Sequence, residues 1–215
     1  MRVNPFTVLA VCAARWSSYG SLLGSDATRA LGRQLAALRA GEGEGDRNTA
    51  ADRAARTLLD ALPPEIAAAL REEGDRTRFS GSPSAVQHQG YSVRDLCMVV
   101  VDGNPMIGPF LGPVRERLLS EPAVPWHTGL DPLLIVLSGD DGRRQVPLFQ
   151  CEVGTMPWRV VLDVNAVLGA DSDPWGVADW WLAESTWWRR TPASLLGQGR
   201  DAELRGAAAD LDRED

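Results

Sequence analysis

Six of the eight tryptophans of this 215-residue chain fall between Trp158 and Trp188, two pairs of them adjacent: Trp180-Trp181 and Trp187-Trp188. Adjacent side chains on an α-helix point about 100° apart, so both rings of a pair cannot sit at the centre of one core-facing stripe. Trp175, Ala178 and Leu182 share such a stripe, which makes Trp175 a core side chain. At least one of the four paired rings is therefore expected to stay partly exposed, next to Arg189-Arg190, in a combination suited to gripping another protein. The competing expectation is a tryptophan-rich core with the arginines lying over it.

The punctuation around these rings predicts a compact helical module over 158–215. Val160, Val161, Val164, Val167 and Leu168 form one helical stripe that stops at Gly169. Asp173 then caps a helix with Pro174 at its first position, Thr191-Pro192 repeats the device, and Asp201 caps a last helix through Leu204, Ala207, Ala208 and Leu211. Upstream, 91–157 reads as a helix pair plus a β-hairpin. Ser92 with Asp95 signals one helix, Gly103 stops it, and Pro113 opens the next. Leu133–Leu137, the turn residues Gly139-Asp140-Asp141-Gly142 and Gln145–Phe149 make the hairpin, and Pro147 confines its second strand to an edge or a short length.

Residues 80–90 lie in a Gly/Ser/Pro-rich linker, and 1–79 form a helical region. There, Ser25 or Asp26 caps a helix striped by Leu31, Leu35 and Leu38, and Gly41 to Gly45 gives a flexible acidic linker. Thr49 with Asp52 resembles a capping box ahead of Ala51, Ala54, Ala55, Leu58 and Leu62, and Pro63-Pro64 restarts the chain for a helix over about 65–73. The alanine-rich faces suit packing against each other or against a second copy, leaving a homo-oligomer open. The fold class is thus mainly α, with a small central β-hairpin, an α-helical amino-terminal region and a compact carboxyl-terminal helical module.

A net charge of −7 and a pI near 4.9 argue against a generally nucleic-acid-binding surface. All the basic residues are arginine, a compositional bias that excludes any mechanism with an obligatory lysine. Cys12, Cys97 and Cys151 lack metal-site spacing and suggest a reducing cytoplasm. The run Phe6 to Ala14 after Arg2 faintly resembles a signal peptide but is too short to span a membrane, so a buried strand or helix pinning the terminus is the plainer reading. No membrane association, cofactor or metal is expected.

Catalytic signatures are sparse. His88 and His127 stand apart from any nucleophile motif, and a pairing of either with a cysteine needs proximity that sequence does not give. Asp140-Asp141 and Asp171/Asp173 sit beside turn glycines, where carboxylates satisfy backbone donors. The chain contains no His-Glu-x-x-His, no Gly-x-Ser-x-Gly and no complete dinucleotide fingerprint. The helix pair 92–119 invites comparison with a helix-turn-helix, with Arg94, Arg115 and Arg117 as its phosphate or base contacts. Its connection from Gly103 to Gly112 is longer than the three or four residues that motif uses. A DNA-binding regulator is therefore one alternative, and a small enzyme using His127 or Cys97 another.

The order of elements from about Arg143 to Leu211 carries a family resemblance. Pro147-Leu148-Phe149-Gln150, the helix ending Leu168-Gly169, Asp173-Pro174-Trp175, Trp181-Leu182 and Arg190-Thr191-Pro192-Ala193-Ser194-Leu195-Leu196 leading into Gly199 resemble the toxin-binding domain of Xre/MbcA/ParS-type antitoxins. The resemblance covers a third of the chain. It implies a non-enzymatic protein that occludes the active site of a cognate toxin, commonly a RES-type enzyme that degrades NAD. Carried onto this sequence, Trp180, Trp181 and Trp188 would be apolar anchors and Arg190 a charge-assisted contact, with Thr191-Pro192 starting a helix that completes the surface. Two departures stand out: the loop Ala183 to Arg189 carries Trp187-Trp188 where the family has small polar residues, and no convincing helix-turn-helix precedes the domain.

Overall fold

The computed structural model describes residues 3–76, 86–139 and 142–213. Arg2, the predicted linker up to Ala85 and the Asp140-Asp141 turn residues lie outside the described residues. The protein is mainly helical, with short antiparallel strand pairs, as the periodicity predicts. It divides into two compact units, Met1–Gly112 and Pro113–Asp215.

The first unit is built around the amino-terminal run. Helix α1 (Pro5–Ala14) is buried from Phe6 through Ala13, and a helix apolar on every side is a core helix. Asn4 caps it, its Oδ1 accepting from the Phe6 amide at 3.0 Å, and Pro5 takes the first position. After a short α2 (Trp16–Tyr19) come α3 (Ser25–Ala40), α4 (Glu44–Ala61) and α5 (Pro64–Arg76). Helices α4 and α5 pack on α1, and α3 packs on α4. The leucine stripe of α3 and the alanine face of α4 meet inside the chain, with Leu31, Leu35, Ala51, Ala54 and Leu58 fully buried. Each fully enclosed leucine contributes roughly 1.5–3 kcal/mol.

Helix α4 begins earlier than its predicted capping box. Thr49 lies in its second turn, where Oγ1 donates to the Gly45 carbonyl at 2.9 Å. Glu44 and Asp46 instead complement the positive end of the helix, and the Arg47 Nε donates to the Gly41 carbonyl at 2.8 Å, which shortens the expected flexible linker to a tight turn. Helix α5 runs through Gly74 rather than ending before it. A Cβ there would meet Val3 Cγ1 at 2.1 Å, so the glycine lets the start of the chain lie against the helix.

Strands β1 (Gln87–His88) and β2 (Tyr91–Ser92) form a two-residue hairpin that the sequence reading assigned to linker and helix start. Helix α6 (Val93–Val101) follows with the expected capping box. The Asp95 carboxylate accepts from the Ser92 amide at 2.8 Å, the Ser92 hydroxyl at 2.7 Å and the Gly108 amide at 2.9 Å. Although grouped by sequence with the downstream hairpin, α6 packs on α1 and α3, because Leu96, Cys97 and Met98 are core side chains. Helix α7 (Gly108–Ser120) starts five residues before the expected Pro113. Pro113 lies inside it with no N–H to offer the preceding turn, and the division between the two units falls at this interruption.

In the second unit, β3 (Ala123–Pro125), β4 (Leu137–Ser138) and β5 (Arg144–Pro147) form an antiparallel sheet in the order β3-β5-β4. The predicted hairpin is present but shorter, and β5 is the central strand. Pro147 pairs with Ala123 only, beyond the end of β4, whose partners are Gln145 and Arg144. The missing N–H therefore faces no strand. A second small hairpin pairs β6 (Cys151–Val153) with β7 (Met156–Pro157). Helices α8 (Arg159–Val167), α9 (Pro174–Leu182) and α10 (Asp201–Asp212) complete the unit, with α10 on α8. Asp173 caps α9 as expected, accepting from the Gly176 amide at 2.9 Å. Thr191-Pro192 opens a single 3₁₀ turn (Pro192–Leu195) rather than an α-helix, because the chain turns extended at Leu196. Val167, expected in the core stripe of α8, is exposed.

Candidate partner-binding surface

Which indole faces inward is decided by a buried polar network. Trp181 is 0% exposed, and its Nε1 donates to Asn165 Oδ1 at 2.9 Å. Asn165 Nδ2 donates to the Leu133 carbonyl at 2.9 Å and to Gln150 Oε1 at 3.1 Å. Gln150 Oε1 also accepts from the Ile135 amide at 2.8 Å, while its Nε2 donates to the Ile135 carbonyl at 3.0 Å and the Pro147 carbonyl at 3.4 Å. Both amide side chains are buried, and all their N–H groups are used, so the low dielectric strengthens the network instead of penalising it. It ties α8, α9, the segment before β4 and the end of β5 into one arrangement. Phe149 and Trp180 pack against the Trp181 ring, with centroids at 5.7 and 4.9 Å, the latter edge-on at 83°.

Trp181 is consequently removed from the expected contact surface, and so is Pro192, which is buried at the start of its 3₁₀ turn. Trp175 is core, as its stripe predicts. Trp180 and Trp188 are half-buried, Thr191 is half-buried and caps the turn through Oγ1, and Arg190 is exposed. Trp188 is a hydrogen-bond partner of the Glu203 side chain. The Arg200 guanidinium is the chief reason the Glu203 carboxyl titrates below its ordinary range, and the Trp188 bond adds to it.

The ring that sequence reasoning left out of its contact set is Trp187, at 70% exposure. It stands on a tight loop closed by the Ser185 amide donating to the Arg190 carbonyl at 3.0 Å and the Arg189 amide donating to the Ser185 carbonyl at 2.8 Å. The Trp187 amide also donates to Ser185 Oγ at 3.3 Å, and Arg189 adopts φ +51°, a left-handed conformation unusual for a non-glycine residue. A loop held this way leaves little backbone entropy to lose when the exposed indole is covered. Beside it runs a groove of about 370 Å³ whose walls include Trp180, Trp187, Trp188 and Leu211. A second hollow of about 350 Å³ shares Trp180 and Leu211 and reaches Val167 and Val177. Leu211, 43% exposed, lines both; the first hollow is the apolar one and forms an apolar band between the 183–188 loop and α10, whereas Asp173 and bare backbone make the second as polar as it is apolar. The adjacency of Trp187 and Trp188 was the signal that could have placed Trp187 here.

The arginines assigned to DNA are differently disposed. Arg115 is 3% exposed, so its guanidinium cannot reach a phosphate from that position. Arg117 pairs with Asp179 and donates through Nη1 to the Leu182 carbonyl at 3.3 Å, which satisfies the end of α9. Arg94 is exposed at the start of α6. Cys97 is buried, and desolvation pushes its thiol up to about 11, while Cys12 is pushed up to about 12 by the same cause. Both are protonated at neutral pH and poor nucleophiles. His127 is exposed, its Nδ1 accepting from the Gly129 amide at 3.2 Å. Among the described residues no cluster of three or more His, Cys, Asp or Glu side chains could hold a metal, and no helix is long and apolar enough to cross a membrane.

Comparison with protein-family models, with curated proteins and with solved structures gives no match for this chain. The fold and surface themselves define a helical protein with a solvent-facing tryptophan on a hydrogen-bonded loop beside an apolar groove.

Proposed function

We propose that the protein is a non-enzymatic, antitoxin-like binding protein of the cytoplasm whose carboxyl-terminal unit covers the active site of a cognate toxin. The observation that carries this reading is Trp187, exposed on a hydrogen-bonded loop next to the apolar band of Trp180, Trp188 and Leu211. Rigid aromatic anchors next to apolar hollows are where binding energy concentrates in protein interfaces. The resemblance of the motif order to that of Xre/MbcA/ParS-type antitoxins supports a folded toxin as the occupant, of the RES type that degrades NAD. Arg190, exposed at the base of the same loop, is suited to a carboxylate on that enzyme. Operator binding loses support, because Arg115 is enclosed and Arg117 is committed to Asp179.

The test is co-expression with the product of the neighbouring gene, followed by an NAD-consumption assay. A stable complex with NAD consumption suppressed is expected, and Trp187→Ala combined with Arg190→Ala should release both. Failure to form a complex, or a complex indifferent to that double substitution, would reject the assignment.

A further inference from the structure

A hollow of the first unit lies where α3, α4 and α6 meet, and its chemistry differs from that of the tryptophan surface. Its volume is about 570 Å³, within the range of small-molecule sites of roughly 300–1,000 Å³. Phe6, Leu38, Val86, Val93 and Cys97 supply its apolar walls. Around them stand Arg39, Arg47 and Arg94 against a single acid, Glu44. In a chain of net charge −7 this lining is cationic.

The arginines are not equivalent. Arg39 is spent on Asp102, to which Nη1 and Nη2 donate at 2.9 and 2.7 Å, so it forms a fixed wall joining the ends of α3 and α6. Arg47 uses Nε on the Gly41 carbonyl at 2.8 Å, which holds the side chain where it lines the hollow. A planar guanidinium held by one nitrogen and offering the others is preorganised for a carboxylate. Cys97 contributes bulk to the wall, with its Sγ turned to the Leu35 carbonyl at 3.8 Å.

We propose that this cavity is a binding site for a small amphiphilic carboxylate, its apolar body against Phe6, Val86 and Val93 and its carboxylate on Arg47 at the mouth. An uncharged molecule of the same length gains only the apolar part. At an exposed guanidinium such a contact is worth roughly two- to fivefold in affinity.

The experiment is calorimetric titration of the full-length protein at low ionic strength with decanoate and, separately, decanol. Decanoate is expected to bind one site about two- to fivefold more tightly than decanol. Arg47→Ala, which removes an exposed side chain, should bring decanoate to the decanol level. Leu38→Trp should fill the cavity and abolish binding of both, while Trp187→Ala on the other unit should leave both unchanged. Absence of decanoate binding, equal affinity for the two probes, indifference to Arg47→Ala, or loss on Trp187→Ala would each overturn the proposal. None of these outcomes touches the toxin-binding reading, which rests on the other unit.

Discussion

Asn165 is the residue whose replacement should tell most about how the second unit holds its shape. Asn165→Leu keeps the branching and heavy-atom count of the side chain, with somewhat more bulk, but removes the acceptor for Trp181 Nε1 and the donor to the Leu133 carbonyl. The indole N–H is the serious loss, because Trp181 is fully enclosed and no water can replace the partner. An orphaned buried donor costs about 1–3 kcal/mol. Leu133 is partly exposed, so its carbonyl regains water at smaller cost, and Gln150 Oε1 keeps the Ile135 amide. The sum is a loss of about 2–4 kcal/mol. Urea unfolding followed by fluorescence measures it on the correct unit, since seven of the eight tryptophans lie beyond Pro113. Trp181→Phe removes the donor instead of the acceptor, and a double-mutant cycle followed by far-ultraviolet circular dichroism should show the pair less than additive by about 1 kcal/mol or more. A loss below about 0.5 kcal/mol, the level of an ordinary surface change, or strict additivity, would refute the view that this network fixes the core.

Gly108→Ala should destabilise the first unit by about 1–3 kcal/mol in thermal or urea unfolding, because Gly108 has φ +78° and a Cβ would meet the Tyr91 ring at 2.3 Å. Burial raises Cys12 and Cys97 from 9.0 to about 12 and about 11 in the folded state, so the unfolded chain loses these protons first. Their contribution is intact below pH 9 and declines above it, by up to about 1.4 kcal/mol per group for each pH unit until the folded value is reached. Cys12→Ala should accordingly flatten the fall in stability between pH 9 and 11 measured by urea unfolding, and an unchanged slope would contradict the burial argument. Arg117→Ala should cost no more than about 1 kcal/mol, since its pair with Asp179 is partly exposed, and should leave any DNA affinity at its low, salt-sensitive background in a filter-binding assay.

Much of the architecture was legible because its signals are local. Asp173-Pro174 at α9, Ser92 with Asp95 at α6 and the alanine stripe of α4 all act within one or two turns, and each element stands where those residues put it. What escaped depends on partners distant in sequence. The burial of Phe6 to Ala13 was legible, but strand and helix stayed open there, because a run covered by α4, α5 and α6 from several sides has no amphipathic stripe to decide between them. The pairing that makes β5 central comes from β3, three residues too short to announce themselves. Helix α4 began at Glu44 because acids near a helix start substitute for a side-chain cap, an option the glycine-rich composition of 41–45 concealed.

The same distinction explains the tryptophan pair, and with it the link between stability and binding. Helical geometry requires Trp180 and Trp181 to diverge but does not say which ring turns inward. Asn165, sixteen residues away, decides it by offering a buried acceptor that only Trp181 meets. Trp180 is then left half-exposed, packed edge-on against its neighbour, and becomes the shared wall of both hollows along α9 and α10. The polar network therefore does more than stabilise the unit. By taking one indole into the core it fixes the apolar band against which Trp187 stands, so substitution of Asn165 should weaken partner binding even though Asn165 is itself buried beneath that surface.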